Sequence, residues 1–498
     1  MDKFAMIIFG ASGDLTKRKL MPALYSLFRE KRLTGDFHIL GIGRTIYSDE
    51  DYRSYISGEL RTFVKSEEQD AALMEAFISH LCYLPMDPAK EEGYAMLRQR
   101  LVELTNEVDP DNLLFYLATP PSLYGVVPLH LKAVGLNTPH SRIIVEKPFG
   151  YDLESARELN KIYASVFKEH QIYRIDHFLG KETAQNVLAF RFANGIFEPL
   201  WNRNYIDYVE ITAVENLGIE QRGGFYETAG ALRDMVQNHL IQLVALTAME
   251  PPAIFNADNF RNEVVKVYES LTPLNEEDLN EHIVRGQYTS SGTKKGYREE
   301  KGVAPDSRTE TYIAMKLGIS NWRWSGVPFY IRTGKQMPTK VTEIVVHFRE
   351  TPHQMFRCSG GNCPRANKLI LRLQPNEGIV LKIGMKVPGA GFEVRQVTMD
   401  FSYAQLGGVP SGDAYARLID DCIQGDPTLF TRSDAVEASW TFFDPVLRYW
   451  KENPDAPLYG YPVGTWGPLE SEAMMHEHGA DWTNPCKNLT NTDQYCEL

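Results

Sequence analysis

From Phe4 to Phe9 every residue is apolar, which predicts a parallel strand covered on both faces. The chain turns polar through Gly10-Ala-Ser-Gly13-Asp-Leu-Thr-Lys17, and Leu20, Leu24, Leu27 and Phe28 then resume at helical spacing. Further buried-strand runs lie at His38–Gly43, Leu113–Ala118 and Arg142–Val145, with a helical, charge-rich region over residues 50–106. A crossover helix is predicted over Arg157–Phe167, ahead of the strand-like lead-in Ile172-Tyr-Arg-Ile175. Strands alternating with helices predict an open parallel α/β sheet for a first domain, residues 1–175.

The pattern changes after residue 175. Helices are predicted over Thr183–Phe197 and Ala229–Met249, with a strand over Ile206–Ala213 between them. From about residue 270 strand-like runs dominate: Thr311–Met315, Phe329–Arg332, Glu343–Phe348, Lys368–Leu373 and Ile379–Ile383. Several alternate polar and apolar positions, as a large antiparallel sheet with one covered face requires. The second domain, residues 176–498, is therefore α+β, with a mainly antiparallel sheet and helices.

Candidate chemistry concentrates at strand ends. Asp176, His177 and Lys181 fall within six positions directly after a buried lead-in. An acid, an imidazole and an amine grouped there can handle a proton and hold an anion. Lys181 stands at the lip of the next predicted helix, where free amides and a cation point the same way. Gly10 and Gly13, between strand and helix, suit a turn that lets a pyrophosphate approach backbone amides. Arg44, at the predicted end of the second strand, suits a 2′-phosphate where an acid would suit a ribose hydroxyl. Lys147 lies on the Pro-bounded loop Glu146-Lys-Pro-Phe-Gly150, and Arg332, Lys335 and Lys340 lie on a Gly- and Pro-marked loop. His239 shares a helix face with Leu232, Met235, Val236 and Leu243, and Asp234 is offset from it by about 140° in an α-helix. The bland alternatives at these positions are a bare glycine turn, a solvated arginine, a salt-bridged lysine and a satisfied core histidine.

Bulk composition narrows the partners. The chain has 498 residues, 43% hydrophobic and 23% charged, with a formal net charge of -13. Such a balance predicts a large buried core and argues against nucleic acid or an anionic membrane as a partner. Six cysteines are too few for a disulfide scaffold, and Cys358 and Cys363 lack zinc-site companions, so reduced thiols are expected. The amino terminus reads as a strand and not as a signal peptide, and no apolar run approaches the ~20 residues of a membrane span. A cytoplasmic location is expected.

Taken together, Gly10-Ala-Ser-Gly-Asp-Leu, Glu146-Lys-Pro-Phe-Gly, Arg174-Ile-Asp-His-Phe-Leu-Gly-Lys-Glu, Arg233-Asp-Met-Val-Gln-Asn-His and Arg332-Thr-Gly-Lys resemble glucose-6-phosphate dehydrogenases, in order, from Phe4 to about Gly467. The resemblance implies a Rossmann-type first domain and a second domain whose sheet forms a dimer interface, hence a homodimer or homotetramer. It implies oxidation of glucose 6-phosphate at C1 to 6-phosphogluconolactone, the first oxidative step of the pentose phosphate pathway, with hydride passing to NADP⁺; NAD is left open as a second cofactor, and no metal is needed. By position His239 matches the general base and Asp176 the carboxylate that orients it. His177 and Lys181 match ligands of the substrate phosphate, and Lys147, Glu215, Asp234, Lys335 and Lys340 match further substrate contacts. Gly10, Ala11, Ser12, Gly13, Asp14, Leu15, Thr16, Lys17, Arg44 and Tyr124 match cofactor contacts, and Lys147 borders the cofactor too. Two departures stand out. Phe178 replaces the usual tyrosine, which predicts weaker substrate binding with unchanged chemistry. Val341 and Val345 replace basic residues of a second, structural NADP⁺ site, so that site is not expected, although Arg332 and Arg372 remain. A broader class of sugar oxidoreductases shares only the Glu-Lys-Pro third of the pattern, and a catalytically silent NADP-binding protein would not keep every chemical position filled.

Overall fold

Six short runs of buried residues pair into one wholly parallel sheet: β1 (Lys3–Phe9), β2 (Asp36–Gly43), β3 (Leu81–Pro85), β4 (Leu113–Leu117), β5 (Arg142–Val145) and β6 (Ile172–Arg174). Their order is β3-β2-β1-β4-β5-β6, so the direction of winding reverses between β1 and β4. In such a sheet the ligand crevice lies outside the carboxyl ends of the strands at that reversal. The computed structural model describes residues 3–107, 111–358, 366–389, 391–406, 413–477 and 479–486. Cys363 falls outside these residues.

A ten-stranded sheet follows: β7 (Ile206–Val214), β8 (Ile283–Thr289), β9 (Tyr312–Leu317), β10 (Phe329–Gly334), β11 (Val341–Phe348), β12 (Arg357–Cys358), β13 (Lys368–Gln374), β14 (Gly378–Lys386), β15 (Glu393–Ser402) and β16 (Tyr459–Pro462). Its order is β12-β15-β14-β13-β11-β7-β10-β9-β8-β16. Most neighbours are antiparallel, but β10 runs parallel to β7, which carries the ends of both strands to one edge. The α/β and α+β fold classes read from the sequence are those observed.

The compact units are not linear segments. The first comprises Met1–Glu182, Ala253–Arg261 and Ser411–Glu437, and the second the remainder. The segment 411–437 belongs to the first unit because it pairs with it directly: Phe430 bridges Ile175 beyond the end of β6, and Arg142 donates to the carbonyls of Cys422 and Ile423 at 3.1 Å each. A cut after residue 175 cannot register such returns.

Four local expectations are corrected. The helix expected over Thr183–Phe197 runs from Glu182 to Phe192. The helix expected over Ala229–Met249 is broken at Gly230 (φ 63°, ψ 178°) and continues as a π-helical segment, Leu232–Leu240, before α-helix Ile241–Ala248. Arg332 lies in β10 and not on a cationic loop: it is buried, bonds Thr212 and the carbonyl of Thr483, and stacks on Trp466 and Trp482. Reduced thiols are expected from the sequence; Cys82 and Cys422 are free and buried, but Cys486 is disulfide-bonded.

Candidate active site

The first half-site follows β1. Gly10 has φ 90°, and a Cβ there would collide with the carbonyl of Ala118, just past β4. Only glycine adopts that backbone without cost and leaves the close approach open. The turn is closed by the Gly13 amide and the Thr16 hydroxyl, which both donate to the Gly10 carbonyl at 2.9 Å. Helical geometry begins at Asp14, so the turn presents a helix start over residues 10–17. Beside it the Ser12 and Thr45 hydroxyls lie 3.4 Å apart. Arg44 is exposed, and Tyr83 pins the loop by donating to the Thr45 carbonyl at 2.9 Å. A glycine turn opening a helix, with an exposed arginine at its rim, fits a dinucleotide carrying a 2′-phosphate.

The same sheet edge carries the polar cluster. Burial pushes the Glu146 carboxyl up from its ordinary value, while hydroxyl donors at Tyr116 (2.6 Å) and Tyr415 and the neighbouring Lys147 oppose the shift. Tyr124 is buried, and its phenol is raised by burial and then by Glu146. After β6, the buried Asp176 accepts the Phe178 amide at 2.9 Å, and the turn closes through Leu179 N to Asp176 O at 3.0 Å. That turn aims His177 outward against Tyr415, with ring planes 6° apart and centroids 6.4 Å apart. Lys181 Nζ sits 3.8 Å from the centre of the Phe178 ring. Tyr415 escaped sequence reading because nothing in Asp-Ala-Tyr-Ala-Arg distinguishes it from an ordinary helix residue.

The second unit contributes another set. Glu215 follows β7 and Lys335 follows β10; the parallel pairing brings them together as an ion pair. The Tyr461 hydroxyl fixes the turn by donating to the Lys335 carbonyl at 2.7 Å. Lys340, at the end of that turn, is exposed. Asp234 and His239 both lie in the π-helical segment, His239 1% and Asp234 7% exposed. An α-helix would hold them about 140° apart. The π-turn bonds residue i to i+5, as the Ile241 amide does to Val236 O, so five steps return close to the starting face. Asp234 and His239 thus share a face, contrary to the α-helical expectation. Glu310, from the segment before β9, holds the start of that segment: its carboxylate accepts Leu232 N at 3.1 Å and its carbonyl accepts Ala231 N at 3.0 Å. Burial raises the Glu310 carboxyl.

A chain that holds a doubly wound dinucleotide-binding unit and a second unit rich in acids and bases belongs to the class of NAD(P)-type oxidoreductases. The comparisons with known proteins are more specific. Residues 7–186 match the family model described as glucose-6-phosphate dehydrogenase, NAD binding domain, and residues 188–483 match that of the C-terminal domain. A glucose-6-phosphate 1-dehydrogenase of Aggregatibacter actinomycetemcomitans is 51% identical over 488 residues, 96% of this chain and 97% of the relative. That of Treponema pallidum is 46% identical over 502 residues, 99% of this chain and 97% of the relative. A solved glucose-6-phosphate dehydrogenase in complex with glucose 6-phosphate superposes with a TM-score of 0.88 at 37% identity, over 97% of this chain and 98% of that one. The chain belongs to the glucose-6-phosphate dehydrogenase family.

Proposed function

We propose that the two residue sets serve one hydride transfer from C1 of D-glucose 6-phosphate, giving 6-phospho-D-glucono-1,5-lactone. Bound NADP⁺ supplies the hydride acceptor. His239 takes the proton of the C1 hydroxyl as the C1 hydride departs, which avoids a full alkoxide. Asp176 orients the imidazole and stabilises the imidazolium, as the aspartate of a hydrolase triad does, with no covalent step. His177 and Lys181 hold the substrate phosphate, and Lys147, Glu215, Asp234, Lys335 and Lys340 position the sugar. Residues 10–17, Arg44 and Tyr124 hold the cofactor; the exposed Arg44 favours NADP⁺, with NAD the alternative acceptor. Neither step calls for a metal.

The observation that carries the reading is the cluster after β6, where a buried carboxylate, an imidazole held against Tyr415 and an ammonium over Phe178 stand on one turn. Protein, glucose 6-phosphate and NADP⁺ should produce the absorbance of reduced cofactor. His239→Ala should lower kcat by about 10²–10⁴-fold, the span general bases contribute, with little change in KM. Near-normal turnover would remove His239 from the base role.

A homodimer is the proposed assembly. Ile379, Leu381 and Ile383 on β14 stand directly opposite Phe401, Met399 and Val397 on β15, and all six lie half-buried or exposed on one face. An apolar strip of this kind marks an interface. Among the described residues no helix is long and apolar enough to cross a membrane, and the cytoplasm, where phosphorylated sugars and NADP⁺ are held, is the proposed location.

A further inference from the structure

His140 leads into β5 and Arg142 opens it, and His170 leads into β6. These strands are parallel neighbours, so the three side chains gather at the amino-terminal edge of the first sheet. The nucleotide turn lies past the end of β1, at the opposite edge. Asn256–Asn259 and Arg261, from the start of helix Ala257–Glu269, complete the lining on one side. The segment after helix Ala414–Gln424 completes it on another, and together they line an open cavity of about 710 Å³. All of its walls belong to the first unit.

The lining is cationic in a chain whose formal charge is -13. Two guanidiniums and two imidazoles line it with one carboxylate, Asp258, and a second carboxylate, Asp111, lies 3.5 Å from His140. Arg261 is only 5% exposed. Its Nε donates to Ala257 O at 3.1 Å and one Nη to Asp258 at 2.7 Å; among the described hydrogen bonds its other Nη makes none. Arg261 lines the cavity, so its guanidinium is a donor available to an acceptor held there. Arg142 is fixed in the wall by the two carbonyls at the end of helix Ala414–Gln424. The start of helix Ala257–Glu269 lines the same cavity; there the Asn259 amide donates to Asn256 Oδ1 at 2.9 Å, and the first-turn amides of a helix have no intrahelical partner.

We propose that this cavity binds a small phosphate ester, at a site separate from both the nucleotide turn and the sugar-phosphate ligands. Planar guanidiniums beside helix-start amides match the oxygens of a phosphate. The volume lies within the range of small-molecule sites, roughly 300–1,000 Å³, and far exceeds a bare phosphate ion. The organic remainder of the ester occupies the rest, against Tyr173, Pro139 and Pro427.

Calorimetric titration tests this on the full chain carrying Lys181→Ala and saturated with NADP⁺, so that neither the nucleotide turn nor the proposed substrate-phosphate ligand takes up the probe. The probes are AMP and inorganic phosphate. AMP should bind saturably and at least ten-fold more tightly than phosphate, and Arg261→Gln should weaken it at least ten-fold. His170→Ala, at an exposed position that leaves the fold intact, should weaken it at least three-fold. Absence of saturable AMP binding, AMP no tighter than phosphate, or an affinity unchanged in both variants would overturn the proposal. None of these results depends on whether His239 is the base.

Discussion

Phe178 shows how one missing hydroxyl changes a site without dismantling it. The family pattern usually has tyrosine there; the phenylalanine keeps the aromatic face, which lies against the Lys181 ammonium at 3.8 Å. A cation over a ring is worth about 0.5–1 kcal/mol where it is exposed. What is lost is a hydroxyl donor for an anion. Phe178→Tyr should therefore lower KM for glucose 6-phosphate a few-fold and leave kcat unchanged; steady-state kinetics showing an unaltered KM would mean that the ring edge does not face the substrate. Asp421 illustrates the opposite case, a charge with no role in the proposed chemistry. Burial raises its carboxyl to about 6, Asp426 and Asp420 add to the shift, and Arg417 opposes it. Because the folded-state value is raised, its contribution to stability is complete below the ordinary value of 3.8 and is lost as pH rises through about 6. Asp421→Asn should gain thermal stability relative to the parent as pH is stepped from 4 to 7. A difference in Tm that stays constant across those steps would sink the argument.

At the scale of an element, the segment Leu232–Leu240 depends on the break before it. Gly230 has φ 63°, and a Cβ would press on the Glu310 carboxylate that caps the segment. Gly230→Ala should destabilise the fold by about 1–3 kcal/mol, the cost of a residue held in a disfavoured backbone region, and should lower kcat because Asp234 and His239 follow on that segment. Urea unfolding that shows a loss below ~0.5 kcal/mol, the scatter of ordinary surface changes, would contradict it. The spacing of Leu232, Val236 and Leu243 reads as one continuous helix because apolar residues return to the core side in either winding. The extra residue per turn and the glycine break leave no mark on hydrophobic periodicity, so the shared face of Asp234 and His239 was not legible. The glycine turn after β1 was legible, because its chemistry is local: a strand, two glycines and a helix start within one stretch of chain.

At the scale of the whole molecule, the exposed apolar strip on β14 and β15 sets the expected assembly. Leu381→Glu combined with Met399→Lys places charges on a directly opposed pair of that face. Sedimentation should show the parent as dimers or larger and the double variant shifted toward monomers with activity per folded chain retained; an unchanged sedimentation coefficient would place the interface elsewhere. β15 was not among the runs singled out in the sequence, since Arg395, Gln396 and Asp400 interrupt it and neither of its faces is deeply buried. By itself the sequence determined the parallel sheet, the antiparallel character of the second sheet, the family, and the clusters whose members are close along the chain, because propensity, periodicity and turn chemistry act over a few residues. Only the tertiary structure decided that Tyr415 stacks on His177, that Glu310 caps the segment bearing His239, that Arg332 is consumed by two indoles, and that Arg142, His170 and Arg261 line one cavity. Those pairings join residues from 28 to more than 200 positions apart. Burial chooses such partners by the shape and charge left over once the local elements have packed.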